Sequence, residues 1–139
     1  MPGELTQFGA NRAVLAGVGL AVSAASGMYV ALATDIPNSP DTASLADFAS
    51  YELTTSGYSR QAITWTSPSG DPSEISNENA IEFGPFDADP PNVTHAFLCD
   101  TSIGTSGNVM AYFELDTPRN ASTGDILRFG ENTLKMRID

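Results

Sequence analysis

From Gly27 onward the chain is written in short apolar runs, each closed by a cluster of Gly, Pro, Asn, Asp or Ser. Runs of β-branched and aromatic residues between such clusters read as strands, so most of the chain is committed to β structure. MYVALA, Met28 to Ala33, is a strand ended by the loop between Pro37 and Pro40. SLADFASYEL departs from the pattern as a short helix, with Ser44 and Asp47 at capping-box spacing and Leu45, Phe48 and Ala49 facing inward. GYSRQAITW, Gly57 to Trp65, is the next strand, with Tyr58, Arg60, Ala62 and Thr64 on one face and Ser59, Gln61, Ile63 and Trp65 on the other. Ser67 to Asn79 is polar, rich in turn formers, and reads as a loop. AIEF follows as a strand closed by Gly84-Pro85 and the DADPPN turn. VTHAFLC, Val93 to Cys99, is largely apolar on both sides, as a central strand buried on two faces is. VMAYFEL puts Val109, Ala111, Phe113 and Leu115 on one face; after the TPRNASTGD turn, ILRF and TLKMRID end the chain. Six or seven strands of this length predict a mainly β fold, an antiparallel β-sandwich or barrel-like domain.

A helix leads it. Between Ala13 and Thr34 there is no charged residue, and AVLAGVGLAV followed by SAAS imitates a signal-peptide core. Glu4 and Arg12 leave the leading segment without net positive charge, and a membrane helix here would carry Gly17, Gly19, Gly27, Ser23 and Ser26 in its path. The reading is helix, turn, strand: Thr6 caps a helix running to Val22, with Phe8, Val14, Leu15, Val18 and Val22 mostly on one side. Gly17 and Gly19 weaken that helix and imply a close approach to another backbone. The 139 residues fit one domain, with residues 1–26 as its helical segment and 27–139 as its sandwich.

Charge narrows the partners. There are 17 Asp and Glu against 6 Lys and Arg, and between Asp35 and Asp116 the one basic residue is Arg60. Such a surface repels phosphate backbones and anionic lipid heads, so nucleic acid and membrane insertion are disfavoured. The basic residues gather near the ends: Arg12, then Arg119, Arg128, Lys135 and Arg137. They form a counter-charge for an acidic neighbour, and a second copy of the chain is such a neighbour. Phe8, Arg12 and Leu15 with Arg128, Lys135 and Arg137 are therefore the candidate inter-subunit contacts. Tyr58, Arg60 and Trp65 are candidate contacts to a partner or a sugar; the plainer readings are an ion pair for Arg60 and a core position for Trp65.

No catalytic set emerges. The one histidine, His95, sits in an apolar strand without a G-x-S-x-G elbow and reads as structural. Cys99 reads as a core thiol, forms no intrachain disulfide, and fits a reducing compartment. One His and one Cys cannot build a zinc site, GTSGN is not a phosphate loop, and no cofactor is implied. Asp87 and Asp89 in DADPPN offer hard oxygen ligands for calcium, yet the spacing is not that of a calcium loop, and a solvated acidic turn is preferred.

GYSRQAITW, NAIEF at Asn79 to Phe83, VTH at Val93 to His95 and LDTPRNASTGDILRF at Leu115 to Phe129 together resemble a family of small bacteriophage virion structural proteins, minor tail or tail fibre-like. In that family GY-x-RQ, VTH and L-x-TPR-x4-GD recur in this order, and FGAN at Phe8 to Asn11 is similar to the opening of members carried by phages of actinobacteria. The acidic stretch from Thr66 to Asn79 and the Cys99-Asp100 pair depart from the pattern. The resemblance implies a non-enzymatic virion protein made in the bacterial host cytoplasm, whose partners are other phage virion proteins; the apolar, glycine-bearing helix, the acidic middle and the basic ends add a homo-oligomer, a trimer or ring. A distal tail position, as a minor tail protein, is the first expectation, and capsid decoration on the head the runner-up. A carbohydrate-binding module that meets a host-surface glycan through Tyr58 or Trp65 is the alternative of a different class.

Overall fold

A computed structural model describes residues 3–19, 27–70 and 73–138. In chain order its elements are β1 (Glu4–Leu5), α1 (Gln7–Gly17), β2 (Tyr29–Ala33), α2 (Leu45–Ala49), β3 (Gln61–Ala62) and β4 (Ser73–Ser76). Then come β5 (Ile81–Phe83), β6 (Val93–Cys99), β7 (Val109–Arg119), β8 (Leu127–Phe129) and β9 (Lys135–Ile138). Five strands form an antiparallel sheet in the order β1-β7-β6-β2-β3, and β4-β9 and β5-β8 form two antiparallel ladders. The fold is mainly β with a leading helix, as the alternation predicts.

The sheet is buried on both faces because its central strands are apolar on both sides. Val30, Leu32, Ala96, Leu98, Ala111 and Phe113 face the two ladders, where they meet Ile81, Phe83, Leu127, Phe129 and Leu134. On the other face Ala31, Ala33, Phe97 and Cys99 lie under Leu45 and Phe48 of α2, with the rings of Phe48 and Phe97 centred 5.3 Å apart. The capping box expected of α2 forms: Ser44 Oγ accepts from Asp47 N–H, and the Asp47 carboxylate accepts from Ser44 N–H.

Several expectations change in the fold. Val109 does not share a face with Ala111, since a bulge between the Leu98–Ala111 and Cys99–Val109 pairs turns it toward Phe97 and Cys99. Most of GYSRQAITW is not strand: only Gln61 and Ala62 pair with β2, because Gly57 at φ 93° turns the chain where a Cβ would meet the Pro85 carbonyl. The stretch expected to be a loop, Ser67 to Asn79, contains β4, whose pairing with β9 sets Ile75 opposite Met136 and Glu74 opposite Arg137. The TPR part of the predicted turn, Thr117 to Arg119, belongs to β7. Helix α1 ends at Gly17 with Val18 at its C-cap and Gly19 at φ 79°, short of the predicted end at Val22, which lies outside the described residues. Neither Gly17 nor Gly19 approaches another backbone among the described residues; Gly9 does, where a Cβ would lie 2.2 Å from the Met110 carbonyl oxygen. Among the described residues no helix is long and apolar enough to cross a membrane.

Candidate functional site

Helix α1 is pinned to the sheet at its first turn. Thr6, buried, accepts a hydrogen bond from Gly9 N–H at 3.2 Å as the N-cap and donates to the Val109 carbonyl at 2.5 Å. Its own N–H donates to the Met110 carbonyl at 3.0 Å. Gly9 then lets the helix lie directly on β7. Beyond that contact the helix stands off from the sheet, and a groove of about 440 Å³ opens between α1, the β4-β9 ladder and Trp65. Its walls are Ala13 and Ala16 of α1, the sheet residues Leu98 and Met110, and Met28, Ile75 and Met136, with Arg12, Glu74 and Arg137 also lining it.

The groove gathers several residues singled out from the sequence. Arg12 holds its guanidinium 5.5 Å from the centre of the Phe8 ring, a cation over an aromatic face. Glu74 is bound by the Arg137 guanidinium and lies 3.6 Å from Lys135 Nζ. The Arg137 hydrogen bond, helped by Lys135, holds the Glu74 carboxyl below its usual range. Leu15 lies on the far side of α1, partly exposed beside Val14 and Val18. Arg128 is not part of this group: it faces Glu82 across the β5-β8 ladder at 3.4 Å.

Tyr58 and Arg60 are separate again, and the GY-x-RQ motif acquires a structural meaning. Arg60 makes a bidentate pair with Glu52, Nε to Oε2 at 2.9 Å and Nη2 to Oε1 at 2.8 Å, with side-chain exposures of 6% and 11%. Its third donor, Nη1, reaches the Thr101 carbonyl at 3.2 Å. The Tyr58 hydroxyl donates to Glu52 Oε2 at 2.6 Å and accepts from Leu32 N–H at 3.0 Å, while its ring stacks on Phe83 at 5.9 Å. Burial first, and then the Glu52 charge, push the Tyr58 hydroxyl far above its ordinary value, and the Glu52 hydrogen bond raises Arg60 further. Every charge in this inward cluster is answered, the condition for an ion pair to sit this deep.

His95 Nδ1 lies 2.8 Å from Thr94 Oγ1, and its strand pairs it with Glu114. Cys99 is buried, with Sγ donating to the Thr101 carbonyl, and burial pushes its thiol up. Asp89 accepts from both the N–H and the hydroxyl of Thr123, at 2.7 and 2.9 Å, and these bonds hold its carboxyl low. Asp87 accepts from Ser56 Oγ at 2.8 Å. The two aspartates thus tie the DADPPN turn to its neighbours; Asp125 binds Ser122 N–H at 2.9 Å within the L-x-TPR-x4-GD turn. Among the described residues no three His, Cys, Asp or Glu side chains gather as a metal site would need.

Sequence reasoning missed Met28, Met110 and Met136 as groove residues, since three positions far apart in the chain carry no local signal. It also missed Asn77, which is fully buried. No curated protein matches the chain. A family model described as podophage GP4 fiber I protein gp80 matches residues 11–137. That span takes in α1 from its middle, the sheet except β1, both ladders and the GY-x-RQ, VTH and L-x-TPR-x4-GD stretches, so the reading as a phage virion structural protein holds at that level. The chain therefore belongs to the family of the podophage GP4 fiber I protein gp80, a family of fibre-related phage virion structural proteins.

Proposed function

We propose that this chain is a non-enzymatic component of the distal phage tail, a minor tail protein of fibre type that assembles as a symmetric oligomer and joins other virion proteins. The family match over residues 11–137 carries this reading. The exposed apolar side of α1 supports it, since Val14 and Val18 are 64% and 68% exposed on a helix anchored to the sheet at its start. Residues 1–26 and 27–139 act as one domain on this reading, because Thr6 and Gly9 tie the helical segment to β7. Capsid decoration is the runner-up placement. Recognition of a host-surface glycan is a second reading, and it rests on Trp65, half-exposed at the groove, since Tyr58 and Arg60 are taken up by Phe83 and Glu52. Mass spectrometry of purified particles, with immunogold labelling for position, tests the proposal. The expected outcome is the protein in every preparation and label at the tail end. Label on the head would transfer it to decoration, and absence from particles would overturn it.

A further inference from the structure

The groove and the outer side of α1 lie on opposite sides of one helix, and both are apolar. Gly9, Arg12, Ala13 and Ala16 recur at helical spacing on the side turned to the sheet and groove. Val14, Leu15 and Val18 occupy the other side, and Arg12 is the one charged residue of the helix. A surface helix of a soluble domain ordinarily carries its charge on that outer side. We propose that the groove receives the Val14, Leu15 and Val18 side of α1 from a second copy of this chain, a contact that deepens the virion-assembly reading and rests on it.

Charge complementarity selects this occupant. Arg12 and Arg137 line the groove, where Glu74 is the one carboxylate among the described lining residues, and Lys135 stands beside Glu74 at 3.6 Å, in a chain whose net charge is −11. The first turn of α1 has the opposite surroundings. Exposed Glu4 and Asp41 flank it, both within reach of the Tyr112 hydroxyl, and Gln7 N–H donates to the Asp41 carbonyl. An incoming α1 therefore brings carboxylates beside its apolar side, and the rim it meets is cationic. Three aliphatic side chains alone fall short of the roughly 800 Å² per partner that a stable interface needs. Seated in the groove they add contact with Trp65, Met28, Met110 and Met136, and methionine adapts to irregular neighbours. Because the surface given and the groove filled are on opposite sides of the same helix, the contact is head-to-tail. It closes as a ring or runs on as a filament.

Light scattering on the full-length protein, from micromolar to millimolar, tests this. The wild type assembles. Val18→Asp spoils the outer side and Ala16→Asp the groove, and each weakens self-association by at least about tenfold with unchanged circular dichroism. Val14→Asp replaces the Val18 variant should that fail to fold, and Ala13→Asp replaces the Ala16 variant. Mixed together, the Val18 and Ala16 variants form a one-to-one dimer, because one supplies an intact groove and the other an intact helix side. A monomeric wild type, assembly untouched in both variants, or no dimer in the mixture overturns the proposal. A monomer that is nonetheless found in particles sinks this contact alone and gives the groove to another virion protein. Absence from particles removes the virion reading and leaves solution assembly to be read on its own.

Discussion

At the scale of single residues, the Glu52, Tyr58 and Arg60 cluster makes stability depend on pH from the alkaline side. Tyr58 sits folded with its hydroxyl pushed well above the ordinary 10.0, by burial and then by the Glu52 carboxylate it donates to. A group whose folded value is raised contributes stability that is complete below its unfolded value and is lost as pH climbs past it. Tyr112 adds to the same effect, raised by burial and by hydrogen bonds to Glu4 and Asp41. With the Cys99 thiol also raised by burial, from an ordinary 9.0, stability to urea is expected to hold up to about pH 9 and fall above it, most steeply past pH 10, as the unfolded chain ionises and the folded one does not. Ultraviolet titration should show these two phenols ionising together with unfolding. Tyr58→Phe should be less stable at neutral pH by about 1 to 3 kcal/mol, since the Leu32 N–H and Glu52 lose a partner, and its alkaline decline should be shallower. An alkaline decline of equal steepness in that variant would show that Tyr58 ionises freely in the folded state. The sequence made Arg60 legible as an ion-paired residue, because one cation among so many carboxylates finds a partner. Glu52 as that partner was not legible, since the pairing depends on the turn at Gly57 that brings the motif back over β2.

Among the elements, the β4-β9 ladder hangs on Asn77. Its Oδ1 accepts from Thr133 and Leu134 N–H, both at 2.9 Å, and its Nδ2 donates to the Asn79 and Gly130 carbonyls at 2.8 and 2.9 Å. One side chain thus satisfies four backbone groups around the turn at Asn132, which lies at φ 62°. Asn77→Ala leaves all four without that partner in a buried place, at about 1 to 3 kcal/mol for each that water cannot reach. The expected loss is about 3 kcal/mol or more in urea unfolding, with faster amide exchange at Leu134. A loss under about 1 kcal/mol would mean that water takes over the role. This ladder is also where the sequence is least legible. β6 can be read to the residue and α2 at its start, since alternation on both faces and a capping box are local signals, though α2 stops at Ala49 rather than running through SLADFASYEL. In β4 one apolar residue, Ile75, stands among serines and a glutamate, and what makes it a strand is the distant β9 with Met136 and Arg137 opposite. The groove is hidden for the same reason: Arg12, Trp65 and Arg137 each stand out in the sequence, but their meeting depends on α1 lying over β7 at Gly9.

For the whole molecule, the acid excess sets two salt responses of opposite sign. A net charge of −11 over 7474 Å² of surface places one excess charge per roughly 680 Å², about 26 Å from the next, inside the ~30 Å screening length of 0.01 M salt and well outside the ~10 Å of 0.1 M. Self-repulsion of the compact state is therefore felt at low salt and largely removed at ordinary ionic strength. Opposing this are surface pairs such as Arg128 with Glu82 and Arg137 with Glu74, each worth little in water and weakened by the same salt. The Arg60–Glu52 pair is buried and screened little. With 17 acidic residues against 6 basic, most carboxylates have no cation to lose, so repulsion outweighs the pairs. Urea unfolding of the dilute protein should give a midpoint that rises with sodium chloride between about 0.01 and 0.3 M, by about 1 kcal/mol in all. Association of copies across the Arg12, Lys135 and Arg137 rim should weaken over the same range, because there salt screens attraction between unlike charges. Measuring both on one sample set separates them: fold stability that falls with salt would mean that the ion pairs dominate the repulsion, and association that strengthens with salt would remove the charged rim from the contact.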